Sequence, residues 1–256
     1  MKTGPIWQAL VDRLDQMQEA GQRADFWLRD DDAIEPTAAL HRLLDLTDRF
    51  SVPLTLAVIP AHTDARLERC LAGRRDISIA VHGWSHENHA PPGEKRQELG
   101  GHRPGGTVSE ELRAGYARLK ALFPASFVPL LVPPWNRIDT DIAAGLGGIG
   151  FRALSVFGPE ASGKAAALLR PGLQIINTHV DVIDWHGTRG CRDHVQIVRD
   201  ILTRVEQVAK GGGTVGILTH HLVHDENVWV FLSKLFETTA THPACRWRNV
   251  SDLIGR

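Results

Sequence analysis

Short apolar runs alternate with amphipathic stretches along the whole chain. The runs Asp25–Arg29, Pro53–Ile59, Ile77–Val81, Phe127–Val132, Phe151–Val156, Leu173–Asn177 and Thr214–Leu218 are mostly short and rich in β-branched or aromatic residues. That is the character of strands buried on both faces of a parallel sheet. Between them apolar positions recur at helical spacing. Pro36–Phe50 places a proline in its first turn and repeats Leu40, Leu43, Leu44 and Thr47, which predicts a helix with one buried stripe. Thr107 followed by Glu110 has the form of a capping box opening a helix through Leu122. His194–Ala209 is a further helix, stopped by Gly211-Gly212-Gly213. Alternation of this kind predicts βα units and a parallel sheet or barrel, and about seven strands favour the barrel.

Composition narrows the class without naming it. The 256 residues are 43% hydrophobic and 23% charged, with a formal net charge of −1, as in ordinary globular proteins. Neither an internal repeat nor a compositional boundary divides the chain, so residues 1–256 read as a single barrel-sized domain. The near-zero charge argues against a nucleic-acid partner, and no run reaches the ~18 apolar residues of a membrane span. Charges interrupt the N-terminal stretch where a secretion signal would be apolar, and Cys70, Cys191 and Cys245 show no CxxC spacing. The expectation is reduced thiols in a cytoplasmic protein. One polar connection is long, Glu87 to Thr107, rich in Pro and Gly; such a segment is usually functional, often a lid, or else mobile.

Candidate chemistry follows directly on the strands. Asp30-Asp31-Asp32 follows FWLR, and His82-Gly-Trp-Ser-His86 follows ISIAV. Pro133-Pro134-Trp135-Asn136-Arg137 follows FVPLLV, a cluster from His179 to Trp185 follows LQIINT, and His220-His221 follows TVGILT. In a parallel barrel the C-terminal strand ends form the active-site face. Three consecutive aspartates repel one another unless a cation or hydrogen-bond donors hold them. Two histidines four apart, with one carboxylate from elsewhere, suit zinc with an open position. Taken singly, the aspartates read equally well as an acidic cap before Pro36, and the histidines as a surface pair. Together they read as a metal site. Gly83 stands where an HExxH protease places its Glu, and no GxSxG elbow appears.

In their order the clusters resemble the polysaccharide deacetylases (carbohydrate esterase family 4), whose domain carries five short motifs. Leu28-Arg-Asp-Asp31-Asp32-Ala33 is similar to the first, LTFDDG, which implies Asp31 as general base and Asp32 as metal ligand. The third aspartate leaves the frame Asp30/Asp31 open. His82-Gly-Trp-Ser-His86 matches HxxxH, implying two further ligands, and Val132-Pro-Pro-Trp135 resembles RPPW with Val132 in place of its Arg. Arg137 or Arg29 is the candidate substitute. Asp181-Val-Ile-Asp184-Trp185 fits DxxDW, and Leu218-Thr-His220 fits LxH with His220 as general acid and His221 as the alternative.

The resemblance spans roughly residues 25 to 221. It implies an α/β fold, a distorted (β/α)7 barrel of the glycoside hydrolase/deacetylase type. It also implies a divalent metal, zinc first, and hydrolysis of an N-acetyl group on an amino sugar or glycan. Asp181 or Asp184 would orient His220 or an arginine, while Trp135, Trp185, Leu218 and Arg137 would meet the substrate. Two other readings stand beside this one: an amide or ureide hydrolase on a small metabolite, and a catalytically weak carbohydrate-binding protein on the same fold.

Overall fold

The structure is a computed structural model that describes residues 4–255 and, for Lys164, the backbone alone. Along the chain run helix α1 (Pro5–Glu19), strand β1 (Ala24–Ala33), α2 (Ala38–Phe50), β2 (Leu54–Val58), α3 (Ala65–Leu71), β3 (Ile77–His82) and α4 (Gly105–Leu122). Next come β4 (Phe127–Val132), α5 (Thr140–Ile149), β5 (Ala153–Leu154), the short α6 (Gly163–Ala166), β6 (Gln174–Ile175) and β7 (Val180–Asp181). The last part holds α7 (His194–Gly211), β8 (Thr214–Thr219), α8 (Glu226–Thr239) and β9 (Cys245–Trp247). These elements gather in two compact units. The first comprises Met1–Asp30, Thr37–Leu54 and His179–Asn249, the second Asp31–Pro36, Thr55–Thr178 and Val250–Arg256.

In the first unit β1 pairs in parallel with β8, Asp30 level with Thr219, and with β9, Ala24 level with Cys245. Strand β7 adds to β8, Asp181 level with Leu218. Helix α2 buries Leu40, Leu43, Leu44 and Thr47, the predicted stripe. Its cap is Thr37, whose Oγ1 accepts from the Leu40 N–H at 3.0 Å. Pro36 therefore stands one residue ahead of the cap and not in the first turn. Helix α7 runs two residues past the expected end and stops at Gly212, whose φ of 75° glycine adopts without strain. Helix α1 buries Trp7, Leu10, Leu14 and Met17; the first three residues of that N-terminal stretch lie outside the described residues.

In the second unit the parallel order is β2-β3-β4-β5-β6. All six residues of β3 are buried, and His82 lies level with Val132 on β4. Strands β5 and β6 are only two residues each, much shorter than the apolar runs around them. One cause is Asn177, whose Oδ1 accepts from Val156 N and whose Nδ2 donates to the Gly158 carbonyl, so a side chain takes over where the ladder would continue. Helix α4 starts at Gly105 behind Pro104, with no side-chain cap. Thr107 already lies inside its first turn, which overturns the capping box.

The Glu87–Thr107 connection is not a free lid. Leu99 bridges Ile138 in parallel, Asp139 N donates to the Leu99 carbonyl at 2.8 Å, and His89 N donates to Gln97 O at 3.0 Å. Glu98 and Leu99 are buried. Among the described residues, no helix is long and apolar enough to cross a membrane.

Candidate metal centre

Strand β1 carries Asp31, buried to 2% exposure, and then Asp32. Asp32 leaves the extended conformation at φ 72°, which breaks the two-residue alternation of the strand. Strand β3 ends on His82, and the loop beyond it holds His86 at φ 60°. The outcome is a convergence: Asp32 Oδ1 lies 3.0 Å from His82 Nε2 and 3.3 Å from His86 Nε2. One ligand atom from each of the three lies within 4.8 Å of the others.

The tautomer of His82 follows from its other nitrogen. Nδ1 lies 2.9 Å from the Val132 carbonyl, which can only accept, so Nδ1 carries a proton and Nε2 is the nitrogen turned to Asp32, donating to that carboxylate until a cation takes the place of its proton. Metal-ligating histidines are held in this way. Burial works against the charged form of His82, but the Asp32 hydrogen bond and the Asp31 and Asp32 charges outweigh it and leave the ring more basic than usual. His86 moves the other way, pushed down by burial and then by the neighbouring His82 charge. Two imidazole nitrogens and a carboxylate oxygen, brought together in this way, fit a divalent cation.

Trp135 completes this wall. Its ring centroid is 4.3 Å from that of His86, and Trp135 and Asn136 both have φ 55°. A left-handed backbone at a non-glycine residue costs roughly 1–2 kcal/mol, and Asp32, His86 and Trp135 all adopt it here. Strain gathered at one place is a mark of a functional site.

Sequence reasoning missed Glu98. It is fully buried, and its Oε1 accepts from the N–H groups of Ser85 (2.7 Å), Trp84 (3.2 Å) and His86 (3.2 Å) and from Ser85 Oγ (3.2 Å). A glutamate amid Pro, Gly and charged residues carries no local signal of burial. Val132 takes part through its carbonyl, so the residue standing where Arg was expected still holds His82 whatever its side chain. Arg137 Nη1 donates to the Arg96 carbonyl at 2.7 Å, and Arg29 is fully buried in β1.

The first unit carries its own polar cluster. Asp30 is fully buried and accepts from Thr219 Oγ1 at 2.7 Å, from His221 N at 2.9 Å and from His221 Nδ1. Burial opposes ionisation of Asp30, but the charge and hydrogen bond of His221, with the His224 charge, hold its carboxyl below the usual range. Asp30 is thus committed to His221, while Asp32 joins the donor cluster. His220 stands edge-on to Trp185, centroids 4.7 Å apart, and Trp185 Nε1 donates to Asp181 Oδ2 at 2.8 Å. Asp184 directly precedes Trp185 in the chain. Its carboxylate accepts from Gly187 N (3.0 Å) and Thr188 N (3.1 Å) and so shapes its own turn. Leu218 is buried within β8, whereas Trp185 is 41% exposed.

His224 lies in the same cluster, its ring 4.5 Å from Trp229, and neither ring nitrogen has a hydrogen-bond partner among the described residues. Burial pushes its pKa from 6.5 down to about 4, against the pull of Asp30. An unfolded histidine takes up its proton near 6.5 and this one only near 4, so its contribution is complete above pH 6.5 and is lost as pH falls toward 4. The difference amounts to about 3 kcal/mol. Urea unfolding of His224→Phe between pH 7 and 4 is expected to show a shallower loss of stability than wild type; equal slopes would remove His224 as the cause.

No protein-family model matches the sequence, and no curated protein matches it. Solved structures do. A Mycobacterium smegmatis protein assigned as a polysaccharide deacetylase superposes with a TM-score of 0.64 at 16% identity, over 91% of this chain and 89% of that one. A peptidoglycan deacetylase from Bacillus subtilis gives 0.55 at 14%, over 90% of each chain. A family 4 acetyl xylan esterase from Clostridium thermocellum, in complex with a cobalt ion, gives 0.52 at 13%, over 90% of this chain and 89% of that one. The chain therefore has the α/β fold of the polysaccharide deacetylases and family 4 carbohydrate esterases, the distorted (β/α)7 barrel that the order of its motifs implied.

Proposed function

We propose that this chain is a metal-dependent hydrolase that removes an N-acetyl or related acyl group from an amino sugar or glycan. The observation that carries the reading is the convergence of Asp32, His82 and His86, with the His82 tautomer set by Val132. A divalent cation held by these three, zinc first, would supply Lewis acidity, polarising the acyl carbonyl and lowering the pKa of water toward about 7. Asp31 takes the proton of the attacking water; its charge already bears on both histidine rings. The water oxygen bonds to the carbonyl carbon, the C–N bond breaks, and His220 delivers a proton to the departing amine. His221 is the weaker candidate for that step because its ring is buried at 1% exposure. The resemblance assigns Trp135, Trp185, Arg137 and Leu218 to the substrate, the two tryptophans as aromatic faces that suit a sugar ring. Asp184 acts through the turn that presents Trp185.

The test is acetate release from N-acetylglucosamine oligomers by protein loaded with zinc or cobalt, then stripped by a chelator, then reloaded. Activity should vanish on stripping and return on reloading. Acetate release indifferent to the chelator would overturn the metal reading, and metal-loaded protein inert on every acetylated amino sugar tried would overturn the substrate class.

A further inference from the structure

The loop between the two candidate histidine ligands is built around an anion that the chain itself supplies. Three successive N–H groups, of Trp84, Ser85 and His86, point at the Glu98 carboxylate, as does the Ser85 hydroxyl. Successive amides facing one side form a concavity that binds anions. Gly83, at φ 59°, leaves the room this needs, since a Cβ there would meet the Glu98 carboxylate and come within 2.6 Å of Pro134 Cγ. His86 is the last residue of this array, and its φ of 60° directs the ring to within 3.3 Å of Asp32 and against Trp135. Resting on the metal reading above, we infer that Glu98 is the positioning residue for the His86 ligand: it holds the His82–His86 loop in its ligating shape before the cation arrives.

The physical argument is one of organisation. Without the carboxylate, buried N–H groups lose their acceptor, each at a cost of about 1–3 kcal/mol. The loop then relieves that cost by turning them toward water, which takes His86 out of its left-handed conformation and away from Asp32. Groups that orient a metal ligand typically alter metal affinity by about 10–100-fold when removed. Glu98 lies in the long Glu87–Thr107 connection, and its contribution is to stiffen the site from behind.

Two measurements test the inference, with cobalt(II) as the probe. In Glu98→Ala the affinity for cobalt should fall about 10–100-fold and the visible absorption of the bound ion should change, whereas Glu98→Gln, which keeps an acceptor, should recover most of both. A folded Glu98→Ala with wild-type affinity and spectrum overturns the inference, even if its melting temperature drops. Should the alanine variant not fold, wild-type hydrogen exchange decides the matter. The amides of Trp84, Ser85 and His86 should be protected in the metal-free protein; free exchange there, with protection only after cobalt is added, overturns it. A wild type that binds no cobalt overturns the metal reading itself and this inference with it, a result distinct from wild-type binding that the variant leaves unchanged.

Discussion

His82→Ala is expected to abolish metal binding and turnover together. The ring is almost fully buried at 2% exposure, so bulk solvent does not stand ready to replace Nε2. The loss acts twice: the cluster falls from three donors to two, and Asp32 Oδ1 loses the partner that holds it at 3.0 Å. A Lewis acid contributes several kcal/mol to a hydrolysis of this kind, about 10³-fold in rate or more. The Val132 carbonyl also loses its donor, which adds about 1–3 kcal/mol of instability. Elemental analysis of purified wild type and variant, beside thermal melts that show both folded, separates the two effects. One equivalent of metal retained by a folded His82→Ala would remove this residue from the ligand set.

Asp31→Asn should behave differently, keeping its metal while turnover falls by about 10²–10⁴-fold, the usual worth of a positioned general base. Asparagine preserves the shape of the side chain but removes its negative charge and with it the capacity to accept a proton. Asp31 sits beside the cluster and outside it: the three converging atoms belong to Asp32, His82 and His86, while the Asp31 charge reaches both rings. Metal content and acetate release from one preparation give the answer. Loss of metal in Asp31→Asn would make Asp31 a ligand and revive the Asp30/Asp31 frame. Against that frame stands the commitment of Asp30 to Thr219 and His221.

Strand periodicity and motif order made much of this protein legible in advance. The runs that became β3, β4 and β8 are mostly apolar stretches, and burial on both faces makes such runs visible without knowing their partners. The buried stripe of α2 is likewise local, because helical spacing alone puts Leu40, Leu43, Leu44 and Thr47 on one side. Boundaries were less legible. Thr107 and Glu110 have the spacing of a cap, but α4 begins two residues earlier, where Pro104 and Gly105 place the chain. Asn177 ends β6 with a side-chain hydrogen bond to Val156, a residue 21 positions away, that no local window contains.

The same division runs through the site. From one dimension come the residue types: carboxylates and imidazoles directly after apolar strands, with His82 and His86 four apart, because ligand chemistry is a property of side chains. Three things required the tertiary structure. That Asp32 lies with His82 and His86 while Asp30 meets His221 depends on a φ of 72° and on what each carboxylate faces in the fold. The tautomer of His82 depends on a carbonyl 50 residues away, at a position whose side chain breaks the expected pattern. Glu98 acts through three amides of a loop 12 to 14 residues earlier. Backbone N–H and C=O groups are the same in every residue except proline, so what they hold is invisible in the order of side chains and appears only once the chain has folded back on itself.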